Sequence, residues 1–158
     1  MKSLNNPYRE IDGYNCFGCS PENPVGLKMK FFEDGEEIVS YWEPEQQLQG
    51  YFRVLHGGIQ ATLLDEIASW YVFAKIGTSG FTSSMQIDYL DQVSVDGGTI
   101  ELRAALESSD KKKVVMQCTL SQGGDLKARA RCEYAVFSPK LAEKKLHYPG
   151  IEKFHKRQ

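Results

Sequence analysis

Apolar positions along this chain change period several times, and each change marks a new element. Residues 1–25 carry Pro7, Gly13, Gly18, Pro21 and Pro24 and show no period, so they read as an irregular arm. Leu27–Phe32 and Glu37–Trp42 are strand-like runs, and Asp34-Gly35 between them is a hairpin signal. Residues 44–55 form a polar, Gln-rich loop. From Gly57 to about Ile76 the period becomes helical. Ile59, Leu63, Ile67, Trp70 and Ala74 share one stripe, with Thr62, Asp65, Glu66 and Ser69 opposite, and Gly77 and Gly80 end the run.

Strands follow the helix. Thr82–Leu90 alternates, with Met85, Ile87 and Tyr89 on one side and Thr82, Ser84, Gln86 and Asp88 on the other. Asp96-Gly97-Gly98, Ser108–Lys112 and Gly123-Gly124 separate Thr99–Glu107, Val114–Ser121 and Leu126–Phe137. In the last strand Leu126, Ala128, Ala130, Cys132, Tyr134 and Val136 alternate against Lys127, Arg129, Arg131 and Glu133. Two strands, one long helix and four strands in meander order predict an α+β domain over residues 1–140. It is one antiparallel sheet of five to six strands, with the helix on one face. Residues 141–158 read as a charged tail, poorly ordered or draped over the surface. One helix covers only part of such a sheet, so a homo-oligomer, dimer or dimer of dimers, is expected.

Composition narrows the partners. The chain has 158 residues, 41% hydrophobic and 25% charged, which suits one globular domain. A net charge of -2 gives no reason to expect nucleic acid. No apolar run approaches the ~18 residues of a bilayer span, and the start lacks a signal-peptide core. No membrane partner and a cytoplasmic location are therefore expected. Cys16 and Cys19 form a CxxC, but Cys118 and Cys132 fall on separate strands and give no second close pair. The pair reads as free thiols in the arm, with metal and redox roles as the less favoured alternatives, and no cofactor is expected.

The chemistry concentrates on His56-Gly57-Gly58 and the acids Asp65 and Glu66. Amides at a helix start can hold a developing oxyanion, and a carboxylate can activate water or attack a carbonyl. The residues thus point to acyl transfer. Gly57 and Asp65 are eight residues apart, about 12 Å along a helix, too far to share one carbonyl. If both act, Asp65 must come from a partner whose helix runs antiparallel across a two-fold axis. Glu66 reads as a face residue and the reserve carboxylate. Lys111–Lys113 and the stripe Lys127, Arg129 and Arg131 read as solvated charge, with phosphate contacts as the alternative.

The segment His56-Gly57-Gly58-Ile59-Gln60-Ala61-Thr62-Leu63-Leu64-Asp65 resembles the helix signature of hotdog-fold acyl-CoA thioesterases. The similarity extends to Cys16-Phe17-Gly18-Cys19-x-Pro21-x-Asn23-Pro24-x-Gly26-Leu27 and to Thr82–Leu90, and spans residues 14–137. It is closest to the branch named for phenylacetate degradation, related to the 4-hydroxybenzoyl-CoA thioesterases. The resemblance implies a curled sheet around one central helix and hydrolysis of an acyl-CoA or related acyl thioester. It implies that Gly57 supplies an N–H to the thioester oxygen and that Asp65 is the catalytic carboxylate, as base or nucleophile. Thr82 or Ser84 then orients water or the carboxylate, and His56, Gly58 and Gln49 stand where substrate would bind. Relatives often carry Asn or Gln at the position of Gly50, beside Gln49. The rival readings are a non-catalytic acyl-thioester binder and a hotdog hydratase or dehydratase.

Overall fold

The computed structural model describes residues 1–155. One antiparallel sheet holds β1 (Lys2–Ser3), β2 (Phe32–Asp34), β3 (Glu37–Trp42), β4 (Gly80–Tyr89), β5 (Ile100–Ser109), β6 (Lys113–Gln122) and β7 (Asp125–Val136). Their spatial order is β1-β2-β3-β5-β6-β7-β4. The sheet curls around α1 (Gly57–Tyr71), whose Leu63, Leu64, Ile67, Ala68 and Trp70 are fully enclosed. This is the hotdog arrangement expected from the sequence.

Three features differ from the sequence expectation. The sheet has seven strands rather than five to six, because the two-residue β1 adds an edge. Of the four strands after the helix only β5, β6 and β7 form a meander, since β4 pairs with β7 and not with β5. The expected strand Leu27–Phe32 joins the sheet only from Phe32 onward. Leu27, Met29 and Phe31 do point alternately inward, but the Leu27 and Met29 N–H groups donate to the carbonyls of Phe17 and Gly18 at 2.7 and 2.9 Å. Lys28 sits at φ +54, which breaks a regular ladder.

The terminal segments are packed rather than loose. Residues 139–146 and 151–154 form α2 (Pro139–Leu146) and α3 (Ile151–Phe154), with Ala142, Tyr148 and Phe154 buried. Phe154 meets Tyr8, Trp70, Phe73 and Tyr148 at ring-centroid separations of 5.6–5.8 Å. Three aromatic or apolar side chains thus anchor a stretch whose charge content hid them, and the arm contributes Tyr8 to the same cluster. The last three residues of the expected tail lie outside the described residues.

The long helix is built as its periodicity implies. His56 is the N-cap, its Nδ1 accepting the Gly58 N–H at 2.8 Å. Beyond Tyr71 the chain continues as a wide turn over Val72–Ile76 and stops at Gly77, whose φ of +82 suits a residue without Cβ. Gly80 then starts β4 against β7 so closely that a Cβ would lie 2.1 Å from the Ala135 carbonyl oxygen. That contact brings the first residues of β4 beside the middle of α1.

Candidate active site

Asp65 projects from the middle of α1 and is half-buried. Its Oδ1 accepts the Thr82 hydroxyl at 2.7 Å and the Tyr134 hydroxyl at 2.7 Å, and Tyr134 also lies 2.8 Å from the Asp65 carbonyl oxygen. Oδ2 has no protein partner among the described residues. Burial, and then the neighbouring carboxylate, hold the Tyr134 phenol above its ordinary value of 10, so it stays a neutral donor at physiological pH. The carboxylate is therefore aimed by two donors, with one oxygen left free.

Thr82 reaches Asp65 because of a bulge. In the β4–β7 ladder Thr82 faces Tyr134, yet Ser84 faces Glu133, so Ser83 is an extra residue. The bulge reverses the alternation. Thr82 shares the inward side of β4 with Met85 and Ile87, correcting the expectation that it lies opposite them. Ser84 pairs with outward Glu133 and is exposed, so Thr82, not Ser84, contacts the carboxylate.

At the other end of the helix, the two glycine amides have different fates. The Gly58 N–H is taken by His56, whereas the Gly57 N–H has no acceptor among the described residues. Tyr89, at the end of β4, donates to the Gly57 carbonyl at 2.8 Å. His56, Gly57 and Tyr89 border a cavity of about 540 Å³ with Gly50, Val54, Gln60 and Gln92. Gln60 is buried, donates to the Leu55 carbonyl at 3.1 Å, and leaves its Oε1 unpartnered. Gln49 is occupied within its own loop, accepting the Arg53 N–H at 2.6 Å and donating to the Gln46 carbonyl at 2.7 Å. Gly50 packs on His56, where a Cβ would stand 3.3 Å from the ring. Within one chain, the structure joins Asp65 to Thr82 and His56 to Gly58, but not Gly57 to Asp65.

Three groups proved more informative than their sequence context suggested. Tyr134 reads as one more inward position of β7, and only strand pairing and helix packing reveal its contact with Asp65. Tyr89 is similar. Glu66 is not a free surface acid: the arm covers it, with Cys16 Sγ 3.5 Å from its Oε1. Burial and the adjacent Cys16 push its carboxyl up to about 8. Meanwhile the basic stripe on β7 is spoken for, as Lys127, Arg129 and Arg131 pair with Asp91, Asp88 and Glu107 at 2.7–3.0 Å. Trp70 stacks on Phe31 at 4.2 Å in the core, whereas Phe52 is exposed.

The family model described as the thioesterase superfamily matches residues 52–129. The chain belongs to the thioesterase superfamily over those residues. That segment contains His56, Gly57, Asp65, Thr82 and Ser84, while Gln49, Tyr134 and the CxxC lie outside it. Solved structures share this superfamily fold. The zebra fish thioesterase superfamily member 2 is 24% identical, with TM-score 0.64, covering 74% of this chain and 88% of that one. A Ralstonia eutropha protein described as a putative thioesterase related to phenylacetic acid degradation is 22% identical, with TM-score 0.64, covering 70% and 86%. A Streptococcus mutans protein solved bound to acetyl CoA is 16% identical, with TM-score 0.67, covering 82% and 98%. No curated protein matches the chain. No helix is long and apolar enough to cross a membrane among the described residues.

Proposed function

We propose that this protein hydrolyses an acyl-CoA or a related acyl thioester to the free acid and thiol. The observation that carries the reading is the Asp65 carboxylate, held at Oδ1 by Thr82 and Tyr134 with Oδ2 free. Oδ2 either takes a proton from attacking water or attacks the carbonyl itself to give an anhydride that water then opens. The thioester oxygen, gaining negative charge, is met by the unpartnered Gly57 N–H at the positive end of the helix dipole. Acetyl CoA in the Streptococcus mutans neighbour and coenzyme A in a Streptococcus pneumoniae one support this ligand class.

The reading includes a homodimer. β4 is a ten-residue edge strand, with Phe81 and Tyr89 exposed and Leu90 exposed just beyond it. It touches α1 at both ends, through Thr82 to Asp65 and Tyr89 to Gly57. Antiparallel pairing of two β4 strands, centred near Met85 and Gln86, sets Thr82 opposite the partner's Tyr89. The same pairing brings Asp65 towards the partner's Gly57, producing two equivalent sites. A cytoplasmic enzyme whose thioester hydrolysis needs no cofactor completes the proposal.

The deciding experiment is thiol release from short, medium, long and aryl acyl-CoAs, comparing wild type with Asp65→Asn of matched fold and association. Turnover that falls at least about 10²-fold in the variant, about 2.7 kcal/mol of barrier, supports the carboxylate mechanism. Turnover that is equal in the two proteins removes Asp65 from it. The engagement of Gln49 within its own loop and the glycine at 50 favour a second reading, an acyl-thioester binder without turnover. Substrate binding with no thiol release identifies that case.

A further inference from the structure

The CxxC of the arm sits against the helix residue that follows Asp65. Cys16 Sγ, Cys19 Sγ and a Glu66 carboxylate oxygen all lie within 4.8 Å of one another. We propose that Cys16, Cys19 and Glu66 form a binding site for a thiophilic divalent metal of the zinc class, its fourth position opening to the adjoining cavity.

Several independent features support a built site. Tetrahedral zinc, with bonds of about 2.3 Å to sulfur and 2.0–2.2 Å to oxygen, holds its ligand atoms roughly 3.6–3.8 Å apart. The Cys16–Glu66 separation of 3.5 Å is already close to that spacing. Cys16–Cys19 is folded as a tight knuckle. The Ser20 N–H donates to the Cys16 carbonyl at 3.1 Å, and the Gly18 and Cys19 amides adjoin the Cys16 sulfur and favour its ionised form. The second leg of the knuckle is held by the Leu27 and Met29 N–H groups on the Phe17 and Gly18 carbonyls. Such amides stabilise a thiolate, the form that binds metal.

Gly18 explains how a carboxylate reaches the two sulfurs. A Cβ there would lie 2.4 Å from the Glu66 carboxyl carbon, so a side chain would displace it. Tyr14 lies 2.9 Å from Cys19 Sγ and is itself held by the Asn6 amide at 3.3 Å, a contact that orients the sulfur. The cluster gathers three groups that ionise to anions, yet Glu66 has no cationic partner among the described residues. A divalent ion would supply the missing countercharge. The three ligands line one cavity of about 390 Å³ with Tyr8, Phe73 and Phe81, which gives an ion a route of entry.

The absence of a second cysteine pair made the CxxC look incomplete as a metal site. The tertiary structure supplies the third ligand from a helix fifty residues away.

The test uses the untagged full chain, reduced, stripped with chelator, and then titrated with zinc or cobalt before gel filtration. The expected result is one metal per chain, a sulfur-to-cobalt charge-transfer band, and a higher melting temperature with zinc. Cys16→Ser and Cys19→Ser should each weaken retention at least tenfold. Glu66→Gln should weaken it and change the cobalt spectrum while the charge-transfer band persists. Wild type that retains no metal overturns the site, as does equal retention by the double Cys16→Ser/Cys19→Ser variant. Conversion of Cys16 and Cys19 to a disulfide in the presence of zinc, read as a mass loss of two hydrogens, also overturns it. The wild-type spectrum decides even if a variant fails to fold.

Discussion

The Tyr134 hydroxyl lies 2.7 Å from Asp65 Oδ1, bridging the last strand of the sheet to the middle of its central helix. The bond ties the direction of the carboxylate to the register of β7, so a group on the least conspicuous face of that strand governs the proposed chemistry. Hydrogen bonds to charged groups are worth about 1.5–3 kcal/mol. Tyr134→Phe, with its ring still packed, is expected to lower kcat roughly 10- to 100-fold while KM changes less. Thr82→Val should do likewise, and the double variant should lose less than the product because both donors serve one oxygen. Steady-state kinetics on the four proteins checks this.

Gly57→Pro isolates the proposed oxyanion donor. Proline lacks the N–H, suits the first helical position, and follows His56, whose φ and ψ of -57° and 133° tolerate a following proline. A Cβ at Gly57 meets only the Tyr89 ring, at 3.6 Å. The expected loss is about 10²–10³ in rate with the fold retained. Mixing Gly57→Pro with Asp65→Asn after subunit exchange should restore activity, since a hybrid dimer contains one intact site. No recovery, with exchange demonstrated, argues against a shared site.

Phe154 tests the structural role of the C-terminal segment. It is fully buried among Tyr8, Trp70, Phe73 and Tyr148, and its carbonyl accepts the Asn5 N–H at 2.8 Å. Phe154→Ala should cost about 3–5 kcal/mol, measured by urea unfolding, where a surface tail would cost almost nothing.

A pH-dependent term comes from Glu33, which lies 2.7 Å from Lys75. The Lys75 ammonium, donating a hydrogen bond to the carboxylate, lowers Glu33 below its ordinary 4.5. Because the folded value is the lower one, the unfolded chain binds more protons as pH falls. The stabilisation is thus present above about pH 4.5 and is lost as pH drops through the folded value. Glu33→Gln is expected to lower stability by roughly 1 kcal/mol at neutral pH and by progressively less in acid. Melting temperatures from pH 7 to pH 3 measure the difference.

Much of this protein was legible in one dimension. The helical stripe with Leu63, Ile67 and Trp70, its stop at Gly77, and the alternation of β7 reflect the 3.6- and 2-residue periods of the backbone. His56-Gly57-Gly58 and Asp65 stood out because glycine amides and a carboxylate on an amphipathic helix carry chemistry within a single element. Other features depended on which strand lies beside which, and no local period encodes that. A single extra residue at Ser83 turned Thr82 inward and Ser84 outward, and the placement of β4 beside β7 set Tyr134 on Asp65. Long-range packing likewise drew Phe154 into the core and brought Cys16 and Cys19 to Glu66. The sequence determined the long helix and the main strands and marked the candidate reactive groups, because both follow from short-range backbone geometry and side-chain type. Only the tertiary structure decided which of those groups touch, because contact across many residues arises when separate elements bury their apolar faces together.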